Sequence, residues 1–268
     1  FGTVVGFYDT SVQDLQMSLK KRDGRLVALD AKGQLNANAP MAVRLETGNG
    51  VRVIKAEAHD AGAAFRLVGF YPRVDGGEAS LEVNLDAGEA GTKSGTLWAR
   101  DFVLLGDSVV TDVLSDPHSE AAFGTHKQHA VQTRLAFNQL RAPFAVGKGQ
   151  FLLKDAYMNG PVLGATMRGE VNFKAHTVDL GGTYVPLYGL NSALGAIPVL
   201  GGNFVGRQGE GVVGITFAIQ GKLEDPAVLV NPMSVLTPGI FRQIFEFRGP
   251  APDPVSSTSD FDVAVPAR

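Results

Sequence analysis

The chain has 268 residues, 44% of them apolar and 19% charged, with a formal net charge of -3 and no cysteine. That length and apolar content suit one large β domain or two ordinary ones built around a real core, and they exclude a disordered chain. The balance of charge, with Lys and Arg scattered, argues against nucleic acid as a partner; the lack of cysteine excludes disulfides, thiolate metal sites and cysteine nucleophiles and leaves the compartment open.

The opening residues, "FGTVVGFYDTSVQDLQMSL", show no basic start followed by an apolar core and begin without Met inside a strand pattern. The expectation is a piece excised from a longer protein. Strict alternation then sets in at Leu15, Met17 and Leu19 and again at Met41, Val43 and Leu45. Period two predicts strands with one apolar and one wet face. "DAGAAFRLVGF" breaks the alternation. Asp60 is a candidate N-cap, Ala61, Ala64, Phe65 and Val68 follow at helical spacing, and Gly69 ends the segment. Strand spacing returns at Leu81, Val83 and Leu85, which alternate with Ser80, Glu82, Asn84 and Asp86.

"DSVVTDVLS" at 107–115 and the stretch from Ser119 to Leu140 are read as helical or irregular, with breaks at Gly124 and Pro143. Beyond them, alternation resumes at Phe151, Leu153 and Tyr157, then Val171 and Phe173, then Val213, Ile215, Phe217 and Ile219. The connections "RDG", "TGNG", "DGG" and "KAHTVD" carry turn chemistry, so neighbouring strands are expected to pair as antiparallel hairpins in one large sheet. "GRLVALD", "GTLWARD" and "GQFLLKD" each place Asp six residues after Gly. They read either as a repeated strand-with-corner unit or as common punctuation of β proteins.

Leu180 to Gly206 contains no charged residue, but Pro186, Asn191, Pro198, Asn203 and several Gly interrupt it, so a buried or interfacial loop fits better than a spanning helix. In "NPMSVLTPGIFRQIFEF", Thr237 suits an N-cap and Pro238 the first helical position; Ile240, Phe241, Ile244 and Phe245 then fall on one side. Burying those four is worth roughly 6 to 12 kcal/mol, so an apolar receiver is required. From Gly249 the chain reads as a Pro/Ser-rich tail with room for one last strand at "FDVAV".

No pattern points to catalysis. His118, His126 and His129 lack a carboxylate at matching spacing, "GGNFVGRQGEG" lacks the Lys-Ser/Thr pair of a phosphate loop, and Ser192 and Ser234 lack a nucleophile elbow. The expectation is a protein without catalytic residues, metal or cofactor.

The last hundred residues resemble a known family. Gly160-Pro161 after a strand, "VPLYGLNS" at 185–192, "IPVLGG" at 197–202, "GEGVVGITFAIQG" at 209–221, "DPAVLVNP" at 225–232 and the final "LTPGIFRQIF" form an ordered series similar to the AsmA-like C-terminal region of bacterial envelope proteins. "AHDAGAAFRLVGFYPRVDGGEASLEV" is a looser echo, and residues 111–141 depart from the pattern. The resemblance implies a mainly β fold, a large antiparallel sheet curled into a taco-like groove or open half-barrel with a few short amphipathic helices. It also implies a periplasmic module of a protein anchored in the inner membrane by a helix outside this chain, carrying phospholipid between inner and outer membranes.

The expected organisation is one continuous domain: residues 1–110 an N-terminal β repeat with a helix near 61–69, 111–141 a helical or irregular insertion, 142–248 the AsmA-like segment with a closing helix at 238–247, and 249–268 a tail. A sheet with one uniformly apolar face and few helices to cover it must close on itself or hold something apolar. Candidate groove contacts are Leu81, Val83, Leu85, Phe151, Leu153, Val171, Phe173, Val213, Ile215, Phe217 and Ile219. The same residues would also fill an ordinary sandwich core. Ile240, Phe241, Ile244 and Phe245 are the candidate gate or membrane contact. The expected partners are phospholipid and, if the chain instead serves as a docking module, an outer-membrane leaflet or an envelope protein.

Overall fold

The computed structural model describes residues 2–36, 38–86, 91–106, 134–161, 163–186, 213–223 and 225–235. Its strands are β1 (Val4–Val5), β2 (Ser11–Arg22), β3 (Arg25–Leu35), β4 (Ala39–Gly48), β5 (Val51–Ala58), β6 (Val74–Asp75), β7 (Glu78–Asn84), β8 (Thr92–Leu105), β9 (Arg134–Gly147), β10 (Gln150–Asn159), β11 (Leu163–Asn172), β12 (Thr177–Pro186), β13 (Val213–Lys222) and β14 (Asp225–Val235), with one helix, α1 (Ala61–Leu67). All belong to one 14-stranded sheet in which neighbours in sequence pair antiparallel, except that β5 pairs β7 and β6 pairs the far end of β8. β1 and β14 lie at opposite ends of the strand order, so the sheet is open and not closed into a barrel.

The turns follow from residues that tolerate positive φ. Asp23-Gly24, Asn49-Gly50 and Lys148-Gly149 each place two successive residues there, the geometry that matches the twist of a two-residue hairpin. These tight turns, with those around His176 and Leu223, lie at one end of the strands. The connection containing α1 lies at the other.

Helix α1 starts at Asp60, whose carboxylate accepts a hydrogen bond from the Ala63 backbone N–H at 2.8 Å. Its seven residues join two cores. Ala63 packs with Val12 and Leu35, flanked by Met41, Ala58 and Leu67, whereas Ala61 and Phe65 pack with Val74, Phe102, Leu104, Leu135 and Phe137. Gly62 is required because a Cβ there would sit against the Val74 carbonyl.

Contacts just beyond α1 establish the curl. The Leu67 carbonyl accepts a hydrogen bond from the Phe7 N–H at 3.2 Å and Gly69 lies under the Phe7 ring, at the β1–β2 edge. One residue on, the Phe70 ring centroid is 6.5 Å from that of Phe151 on β10. In a flat sheet β2 and β10 would be roughly 30 Å apart, while residues 67–70 span only about 10 Å. The sheet therefore bends into a trough with α1 inside one end.

Three sequence expectations change. Residues 134–141, read as helical or irregular, form the first half of β9. Leu180 to Pro186, read as part of a loop, belong to β12. Tyr157 leaves the face of Phe151 and Leu153, because a bulge between Leu153 and Ala156 shifts the phase and sets Tyr157 opposite Arg141 and Thr166. It is nonetheless buried there, and that burial pushes its phenol pKa up to about 12 against the pull of Arg141. Of the repeated Gly-to-Asp units, Asp155 sits at such a bulge, Asp101 takes φ 54 at a gap in the β8–β9 ladder that leaves the register unchanged, and Asp30 is regularly paired.

Candidate functional site

Residues directly opposite in antiparallel strands share a face, so the register traces each face of the sheet. One row on the concave side runs from β4 to β14 through Leu45, Ile54, Val83, Gly95, Phe144, Leu153, Gly169, Leu180, Ile219 and Val228. A second runs from β2 to β9 through Met17, Ala31, Val43, Ala56, Leu81, Leu97 and Ala142. A third, nearer α1, runs from β3 to β12 through Gly33, Met41, Ala58, Ala79, Ala99, Leu140, Met158, Ala165 and Tyr184. None of these residues is charged. The row between the first two on the convex side reads Asp30, Arg44, Lys55, Glu82 and Thr96. It is laced by the Arg44–Asp30 and Lys55–Glu46 ion pairs.

Most of the candidate contacts fall on the concave face. Leu81, Val83, Leu153 and Ile219 stand in the rows above, and the backbone of Ile215 pairs in register with Tyr184. Phe151 and Val171 are paired with each other, and Val171 with Val178; Phe217 lies opposite Gly182. Leu85 continues the alternation just past β7, where its N–H donates to the Arg52 carbonyl. Val213 opens β13 in register with Val235. Phe173 differs, since it follows the end of β11 in the turn and is 51% exposed, a rim position. Ile240, Phe241, Ile244 and Phe245, the rest of the segment 187–212, and His118, His126 and His129 lie outside the described residues.

Among the described residues, the trough is covered at one end and partly uncovered elsewhere. Below α1, Phe102 stacks on Phe137 with centroids 5.4 Å apart, and Phe65 meets Phe70 edge to face at 5.7 Å. Further along, Phe144 stacks on Phe151 at 5.4 Å. Met17, Val68 and Phe70 are more than half exposed. Leu81, Val83, Leu97, Phe151, Leu180, Phe217 and Ile219 are only partly buried. An ordinary sandwich core would have a second layer over them, whereas among the described residues the covering is α1 and its flanking loops.

The chain matches no family model, no curated protein and no solved structure.

The other surface features differ in character from the trough. A depression on the convex face is lined by Leu152, Leu153, Gly169 and Gly181 together with Lys154, Asp155, Arg168, Glu170 and Asp179, so every polar side chain in its wall is ionisable. Among the described residues no group of three or more His, Asp or Glu side chains could hold a metal ion, and no helix is long and apolar enough to cross a membrane.

Sequence reasoning missed Phe70 as a trough residue. The signal was a large apolar residue just past Gly69, where the helical pattern ends. It also missed the ion cluster that ties the turn end together. Asp86 accepts from the Arg52 backbone N–H at 2.9 Å, from the Arg52 guanidinium at 2.5 and 2.9 Å, and from Arg25 at 3.2 Å, while Arg52 also donates to the Leu26 carbonyl. The Arg52 guanidinium holds the Asp86 carboxyl far below its ordinary value of 3.8. The folded state thus binds this proton less readily than the unfolded chain, so the stabilisation is whole above that value and is lost as pH falls below it. Asp86→Asn is expected to lower the urea midpoint near neutral pH, with the gap to the unmodified protein narrowing steadily below about pH 4.

Proposed function

We propose that this chain is a non-enzymatic lipid-binding module that shelters phospholipid acyl chains in its trough. The observation that supports this most directly is the set of uncharged rows spanning the concave face, many of whose side chains stay partly open to solvent. Burial in such a surface contributes about 0.8 kcal/mol per methylene without demanding a fixed shape, which suits chains of varied length. A row continuous across strands lets an acyl chain shift without leaving its apolar lining. Headgroups remain at the open side, in water. The resemblance to AsmA-like proteins extends the proposal to a periplasmic setting, as part of a protein anchored in the inner membrane that moves phospholipid toward the outer one.

Mass spectrometry of the purified protein tests the reading. Copurified phospholipid, together with photo-crosslinks to lipid from a probe at Leu81 or Ile219 and none from Glu82 or Gln220 on the opposite face, is the expected result. Protein that emerges lipid-free and takes up no labelled phospholipid would overturn it.

A further inference from the structure

The turn end of the sheet, opposite α1, forms a connected rim. The Phe173 N–H donates to the Gly149 carbonyl and the Leu223 N–H to the His176 carbonyl, both at 2.9 Å, so successive turns are hydrogen-bonded to one another. Each carries a lysine. Lys148 lays its stem over Gly91 and Lys174 over Gly149, with Lys222 on the next hairpin. On the other flank of the trough, Lys20, Lys21 and Arg22 close β2, and among the described residues no ion pair holds them. All six are exposed. In a chain of net charge -3, these cations gather at one end of the sheet. Lys148 is engaged within the protein, whereas among the described residues no ion pair holds Lys20, Lys21, Arg22, Lys174 or Lys222. Of the acids on the described turns, Asp86 is taken up by Arg52 and Arg25, which leaves Asp23 and Asp225.

A second feature decides what such a rim would meet. Leu19 beside Lys20, Phe173 beside Lys174 and Leu223 beside Lys222 are exposed large apolar side chains, so on both flanks of the trough a cation is adjacent to an apolar residue. A soluble anion or a nucleic acid offers nothing apolar to meet such residues, whereas a bilayer surface supplies phosphate for the ammonium and acyl boundary for the neighbouring side chain.

We infer that the hairpin rim is a docking surface for a bilayer bearing anionic phospholipid headgroups, placing the open end of the trough against the lipids it would take up or release. This rests on the lipid-binding reading of the trough, and the test separates the two. Flotation compares vesicles of phosphatidylcholine with the same vesicles doped with phosphatidylglycerol, alongside uptake of detergent-dispersed phospholipid by the protein. The expected result is binding to the doped vesicles alone, lost when salt rises from about 0.05 M to about 0.5 M. Replacing Lys20, Lys174 and Lys222 with Gln should weaken it by roughly 100-fold, at about fivefold per lysine, and Phe173→Ser should weaken it further, with lipid uptake unchanged. Equal binding to neutral vesicles, or undiminished binding by the triple variant, would overturn the docking proposal and leave the trough reading intact. Salt-sensitive vesicle binding by a protein that takes up no lipid would uphold the rim and defeat the trough.

Discussion

Met17→Asp combined with Phe70→Asp is expected to cut phospholipid loading at least tenfold while leaving the protein folded. Both side chains lie on the concave side: Met17 stands opposite Ala31 in a row that reaches Ala142, and Phe70 sits between Phe65 and Phe151. Each is 58% exposed, so a carboxylate at either position stays hydrated in the lipid-free protein. An acyl chain laid over them would strip that water from unpaired charges, a penalty of several kcal/mol that exceeds the gain from a few methylenes. Leu152→Asp with Leu229→Asp is the matched control. These two are also exposed leucines, but register places them on the convex face, opposite Glu170 and Ala218. Loading should survive there. Loading that falls equally in both double variants would show that uptake does not use the concave face.

Phe102→Ala is expected to destabilise the fold by about 3 to 5 kcal/mol, measured by urea unfolding. Phe102 is 2% exposed and stacks on Phe137, in the core that α1 covers through Ala61 and Phe65. Removing its ring would open a cavity between helix and sheet that neither can fill by shifting, because α1 is fixed on one side by the Asp60 cap and on the other by the Gly62 contact with Val74. Val103→Ala, one residue along and on the other face, should cost clearly less. A loss below about 1 kcal/mol for Phe102→Ala would mean that α1 does not close this end as a packed plug.

Much of the architecture is legible locally. Period-two alternation marks Leu81 and Val83 or Phe217 and Ile219 as one face of a strand, because adjacent side chains must point to opposite sides. Asp-Gly and Asn-Gly mark hairpins, because these residues accept positive φ cheaply. Asp60 announces α1. The phase of a strand across an irregularity in its ladder is another matter. Simple alternation from Leu97 and Ala99 would turn Asp101 inward, yet Asp101 takes φ 54 and Phe102 and Leu104 point into the core instead. Facing it, the apolar residues of β9 step from Phe137 to Leu140. The resulting spacing, Phe137, Leu140, Phe144, imitates a helix, so simple alternation does not mark 134–141 as a strand. Both strands change phase together at this point while their register is kept, so neither sequence alone announces the step.

The sequence by itself thus determines that the chain forms antiparallel hairpins with one apolar face. Only the tertiary structure decides what that face becomes. Whether such a sheet lies flat under a second layer or bends into a trough depends on contacts between segments far apart in the chain: Phe7 with Gly69, Phe70 with Phe151, and Arg25 with Asp86. No local pattern encodes them, because each arises only once the strands between them have paired and twisted.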